Sequence, residues 1–340
     1  MSLLTPGSPH QHGSDSVQAL MLRVLMALLP GIALYAWFIS QGILVQILLA
    51  ITAAVLAESI VLKLRQRPPG PSVTDGSALL TAVLLALALP PLAPWWLVVL
   101  GSAFAIVFGK QLYGGLGYNP FNPAMLGYAM LLIAFPLEMT NWQLTTPGLG
   151  EAFNAIMFGN GLTPDALSGA TPLDTLKTRI GLGESIEAIR SHPDFASLYG
   201  ALAGKNWEWV SLAFLVGGSW LLWRRDIAWQ IPLAMITSII LLSGLFWLID
   251  PARHASPLFH VFGGATLLGA FFIATDPVSA STTPRGRLIY GAGIGMIIWL
   301  IRSYGGYPDG VAFAVLLMNM AAPTIDHFTQ PRVFGDRGRR

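Results

Sequence analysis

Cysteine is absent from the 340-residue chain. No disulfide, thiolate-held iron–sulfur cluster or cysteine-based zinc site can therefore be built from it. Any redox chemistry in this chain must use a non-thiolate cofactor. Charge is scarce too: Asp, Glu, Lys and Arg make up 11% of residues, and 19 basic against 17 acidic side chains leave a net charge of +2. That excess is too small to indicate a nucleic-acid partner. His192, His254, His260 and His327 are scattered without metal-ligand spacing, so no metal is expected. No nucleophile–base constellation stands out anywhere. Residues 1–19 lack a basic n-region and an early cleavable apolar core, and no signal peptide is expected.

Apolar residues are abundant, at 54%. They gather in runs near the roughly 20 residues that cross a bilayer. The runs fall at 20–37, 43–62, 76–90, 94–109 and 122–136, then at 207–223, 227–249, 257–275, 288–301 and 309–325. The expected fold is an all-α polytopic membrane protein of ten transmembrane elements. A tail (1–19) precedes a first half (20–136), an insert (137–206) separates it from a second half (207–325), and a basic tail (326–340) closes the chain. Ten crossings with the N-terminus inside put most Lys and Arg on the cytoplasmic side, including Lys63, Lys110, Arg224 and Arg285. Only Arg253 and Arg302 fall in short outside loops. Both termini are therefore expected in the cytoplasm and the insert outside, which for a bacterial inner membrane means the periplasm.

Five crossings per half would invert the second half relative to the first. The run from Gly76 to Pro90 lines up with Gly263 to Pro277 at an offset of 187 residues, and Asn122 to Pro136 lines up with Asp309 to Pro323 at the same offset. Short, glycine-bearing, proline-ended elements in both halves point to a binding site between them. The competing explanation is close helix packing through small residues.

Within the insert, Thr171-Pro172-Leu173-Asp174 reads as a helix start: a threonine cap, proline at the first helical position and an acid at the third. Capping alone would explain it. A phosphate ester on the same hydroxyl would also be favoured there by free N–H groups and the helix dipole.

The stretch Asp165-Ala166-Leu167-Ser168-Gly169-Ala170-Thr171 resembles the flavinylation motif of the Nqr and Rnf respiratory complexes. The resemblance extends through Thr74-Asp75-Gly76-Ser77-Ala78-Leu79-Leu80, Gly117-Tyr118-Asn119-Pro120-Phe121-Asn122-Pro123-Ala124-Met125 and Ala274-Thr275-Asp276-Pro277-Val278-Ser279. It identifies the chain as a member of the family that holds the B subunit of Nqr and the D subunit of Rnf. The early first membrane run, without a long N-terminal extension, favours the Rnf branch. The resemblance implies FMN on Thr171 through a phosphoester, placed by a flavin transferase that reads Asp165, Ser168, Gly169 and Ala170. It implies a second, non-covalent riboflavin, here placed near Asn119, Asn122, Gly76 and Gly263. Partner subunits of an Rnf complex would move electrons between ferredoxin and NAD while translocating sodium or protons. The competing class is a channel or secondary transporter, which the repeat fits equally well. Thr163, which also precedes Pro-Asp but lacks the Gly-Ala, serves as an internal control.

Asn119 and Asn122 offer amide donors and acceptors suited to a flavin edge, though a cap or Asx turn is the plainer reading. Asp75 and Asp276 read as loop acids and Glu58 as snorkelling to the interface, none of them an ion ligand. Trp95, Trp96, Trp207, Trp209 and Trp223 read as interfacial anchors rather than stacking partners.

Overall fold

The computed structural model describes residues 16–142, 147–159, 170–192, 196–307 and 309–331. It is helical throughout, with no strand among the described residues. The first half contains α1 (Val17–Phe38), α2 (Gly42–Leu64), α3 (Ser77–Ala88), α4 (Trp95–Gly109) and α5 (Pro123–Ala134). The second contains α6 (Trp207–Arg224), α7 (Gln230–Ile249), α8 (Thr266–Leu268, continuing as a π-helix over Gly269–Ile273), α9 (Pro284–Tyr304) and α10 (Val311–Thr329). By length and composition α1, α2, α7, α10 and the run Trp95–Tyr113 can each cross a membrane.

Local chemistry sets where these helices begin. Asn122 accepts from Met125 N at 3.2 Å and Thr283 from Gly286 N at 3.0 Å, and proline follows each cap. A side-chain acceptor satisfies a free N–H of the first turn, and proline loses nothing at a position whose N–H would be unpaired.

The packing partners of one half recur in the other. Helix α2 packs on α4, and α4 on α5; α7 packs on α9, and α9 on α10. Across the halves α1 meets α6 and α5 meets α10. Glycine permits the first of these crossings: a Cβ on Gly217 would collide with the carbonyl oxygen of Ala27, and one on Gly31 with the ring of Phe214. Backbones approach closely only where side chains are this small.

Two expected elements differ from the sequence reading. The run 257–275 is not one helix. It divides into Pro257–Phe262 and α8, with Gly264 at φ +62° between them. The carbonyls exposed at that break are satisfied: Arg302 donates to His260 O (2.6 Å) and Gly263 O (3.1 Å), and Thr266 Oγ1 donates to His260 O at 2.7 Å. A broken helix is tolerated at membrane depth when the freed groups find such partners. The last element does not stop at Pro323 but runs through it to Thr329. Its end is held by tertiary contacts, since Asp326 accepts from Thr282 N (2.9 Å) and Thr282 Oγ1 (2.8 Å). These contacts offset the hydrogen bond that proline removes.

The insert is seated on both halves. In its helix Leu149–Phe158, Ala152 and Ile156 bury against Leu92; Leu173, Leu176, Ile189 and Ala203 bury against Ala255 and Phe259.

Candidate functional site

Helix Pro172–Gly181 begins as its sequence dictates, with Thr171 in extended conformation and its Oγ1 accepting from Asp174 N at 3.2 Å. Thr171 sits at a cavity of about 140 Å³ whose walls include Tyr35, Trp142, Trp207, Phe214 and Gly263. This cavity, termed outer only because it lies on the insert's side of the helices, reaches the ends of α3 and α5 and the beginnings of α6, α8 and α10. Its walls are aromatic: Trp207 meets Tyr35 edge-on with ring centroids 5.5 Å apart, and Trp142 meets Trp207 at 5.6 Å. Tyr35 Oη is buried there without a hydrogen-bond partner. A flat aromatic heterocycle with hydrogen-bonding atoms along its edge fits such walls.

Burial pushes the Asp174 carboxyl up, against the pull of Lys177, and burial pushes the Lys177 ammonium down, against Asp174. Lys177 donates to Ile301 O at 2.9 Å, tying the insert helix to α9.

A second cavity of about 60 Å³ lies at the opposite ends of α3 and α5, lined by Ser77, Lys110, Asn119, Asn122, Phe272 and Asp276 among others. The two asparagines differ. Asn122 is fully engaged, its Oδ1 capping α5 and its Nδ2 donating to Ile273 O at 3.4 Å. Asn119 donates through Nδ2 to Phe121 O at 2.9 Å, while its Oδ1 is buried without a partner. An orphaned acceptor beside a cavity suits an imide N–H such as a flavin carries.

The structure thus brings Asn119 and Asn122 together and separates them from Gly263, which lines the outer cavity. Gly76, at φ +80°, starts α3 beside Ser77. Ala170 is half-buried next to Thr171. Asp165, Ser168, Gly169 and the control Thr163 lie outside the described residues.

Ion pairs at both ends went unread in the sequence. Glu58 does not snorkel: it is 0% exposed and bonds Lys110 Nζ at 2.5 Å, Gln111 Nε2 at 2.7 Å and Ser72 Oγ at 2.9 Å. Lys110, 1% exposed, also donates to Ser77 Oγ at 2.6 Å. Arg302 does not sit in an outside loop but in the last turn of α9, buried and paired with Asp309 at 3.0 Å. Desolvation makes a lone charge at such depth costly, so each is paired. Trp207 corrects the anchor reading, because the first turn of α6 abuts the end of α1 and turns its ring into the outer cavity. Trp96 packs on Phe135 at 5.0 Å, whereas Trp209 and Trp223 are exposed as anchors would be. The signal available for Tyr35 and Trp142 was their position at helix ends, which did not distinguish a cavity wall from an interface.

Among known proteins, the family described as NQR2, RnfD, RnfE matches residues 4–335. The chain is 53% identical to the protein of Escherichia coli O17:K52:H18 (strain UMN026 / ExPEC) named as the D subunit of the ion-translocating oxidoreductase complex, over 97% of each chain. It is 52% identical to the protein so named in Escherichia coli O139:H28 (strain E24377A / ETEC), again over 97% of each.

Proposed function

The chain belongs to the NQR2, RnfD, RnfE family, and from that premise we propose that it is the membrane electron-transfer subunit of an ion-translocating ferredoxin:NAD oxidoreductase complex. Its relatives are named as the D subunit of an ion-translocating oxidoreductase complex. In this reading Thr171 carries FMN through a phosphoester, installed by a flavin transferase. A second flavin, riboflavin, is held without a covalent bond at the inner cavity. The ten elements form two inverted halves of five in the bacterial inner membrane, with both termini cytoplasmic and the insert periplasmic.

The observation that carries the reading is the position of Thr171, a capping residue in the lining of an aromatic-walled cavity. When bound, flavin supplies transfer of electrons one or two at a time. The chain's residues attach and orient it. Pro172 has no N–H and Asp174 N already bonds Thr171 Oγ1, so it is chiefly the dipole of helix Pro172–Gly181 that favours the charge of a phosphate at Thr171. Trp142 and Trp207 wall the ring's surroundings and exclude water. At the inner cavity Asn119 Oδ1 supplies the acceptor for the second flavin. Corresponding packing in the two halves supports the inverted repeat.

The test is in-gel flavin fluorescence after denaturing electrophoresis, with protein co-produced with the transferase. Wild type and Thr163→Val are expected to fluoresce and Thr171→Val to be dark, with FMN mass on the Thr171 peptide. A dark wild-type band would return Thr171 to an ordinary helix cap and favour a transporter.

A further inference from the structure

Tyr35 stands in the last turns of α1, where its carbonyl oxygen accepts from Ile39 N at 2.9 Å and from Ser40 N at 3.1 Å. Those bonds fix the backbone, and the edge-on ring of Trp207 helps hold the phenol. The residue is 2% exposed, and its hydroxyl reaches neither solvent nor a protein partner. Folded proteins seldom leave a buried hydroxyl unsatisfied.

Three other polar side chains of the same cavity are already engaged. Ser211 Oγ donates to Phe262 O at 2.9 Å, Thr140 Oγ1 to Pro136 O at 2.8 Å, and Asp309 accepts from Ala265 N at 2.8 Å as well as from Arg302. Tyr35 Oη is the one buried, unpartnered side-chain polar atom of this cavity among the described residues.

We infer that the Tyr35 hydroxyl donates a hydrogen bond to the edge of the isoalloxazine ring in the outer cavity, positioning the ring and biasing it toward its reduced state. This rests on the assignment of FMN to Thr171. The ring carries carbonyl oxygens and ring nitrogens that accept hydrogen bonds, and a phenol O–H is a donor. Reduction makes those acceptors more electron-rich. A donor bonded to them binds the reduced ring more tightly than the oxidised one, as electrostatic preorganisation requires. Tyr35 is a positioning residue: it neither carries the ester nor exchanges electrons.

Tyr35→Phe keeps the aromatic wall and removes only the donor. Tyr290→Phe makes the same change at a buried tyrosine outside both cavities, whose hydroxyl is bonded by Asn319 Nδ2 at 2.7 Å. Wild type and both variants, co-produced with the transferase, are compared by in-gel fluorescence. Redox titration followed by absorbance comes next, with Thr171→Val protein subtracted to isolate the outer flavin. Tyr35→Phe is expected to retain the fluorescent band and to show a lower midpoint potential for that flavin, while Tyr290→Phe matches wild type. An unchanged or raised potential in Tyr35→Phe overturns the inference. So does an equal shift in both variants, or loss of the covalent band in Tyr35→Phe alone. A dark wild-type band instead rejects the assignment of Thr171 beneath it, and is told apart because it appears before any titration.

Discussion

At the inner cavity α5 begins on Asn122, whose side chain caps it, and at the outer cavity Asp309, 187 residues later, precedes α10 and accepts from the N–H of Gly310, the residue on which that helix begins. The surroundings then diverge. Asn122 is bonded to backbone through both ends of its amide, and the nearby ion pair is Lys110 with Glu58, which reaches across from α2. Asp309 is paired with Arg302 through Nε and Nη2, while Nη1 and the same Nη2 close the break before α8. One cavity wall mixes amides and ionic groups around an orphaned acceptor, and the other is aromatic around an orphaned hydroxyl. The two halves, whose elements pack in corresponding ways, therefore hold sites of different chemistry, because the side chains near those helix starts differ.

The sharpest way to break the comparison is at the buried ion pair. Glu58→Leu leaves the Lys110 ammonium uncompensated and is expected to destabilise the fold by about 3–5 kcal/mol. A thermal scan in detergent reads this as earlier loss of folded protein. The double change Glu58→Leu with Lys110→Met is expected to recover most of that loss, and no recovery would show that the pair does more than neutralise itself.

The two asparagines sharpen the comparison at smaller cost. Asn119→Leu removes the orphaned acceptor and is expected to lose the non-covalent flavin, measured as flavin released on denaturation, while the Thr171 band stays. Asn122→Leu is expected to lose about 1 kcal/mol of stability with its helix cap and to lose the flavin by displacing α5. Unchanged released flavin in both variants would remove the inner site.

The smallest effect is expected at the outer site. Thr171→Ser keeps both the cap and a hydroxyl, so stability should move by a few tenths of a kcal/mol at most. Retention of an in-gel band in this variant measures how strictly the attachment reads the methyl group.

Much of this was legible along the chain. The Thr171 cap and the Asn122 cap rest on neighbours within four residues, and the structure bears them out. The break before α8 was not legible, because Gly263-Gly264 inside an apolar run reads as ordinary close packing. It became a break only where Arg302, some forty residues away, offered its guanidinium to the freed carbonyls. Pro323 misled for the same reason in reverse, since Asp326 anchors the helix beyond it to residues 281–283.

By itself, the sequence determined the membrane character, the helix starts and the absence of thiol chemistry. Periodicity, capping and composition act over short stretches of chain and need no partner. Only the tertiary structure decided that Glu58 meets Lys110, that Trp207 and Tyr35 face a cavity rather than lipid, and that the asparagines and Gly263 stand at opposite ends of α3 and α5. Those facts depend on which helix faces touch. Desolvation, which makes an unpaired charge or hydroxyl costly, acts only once distant segments have closed around it.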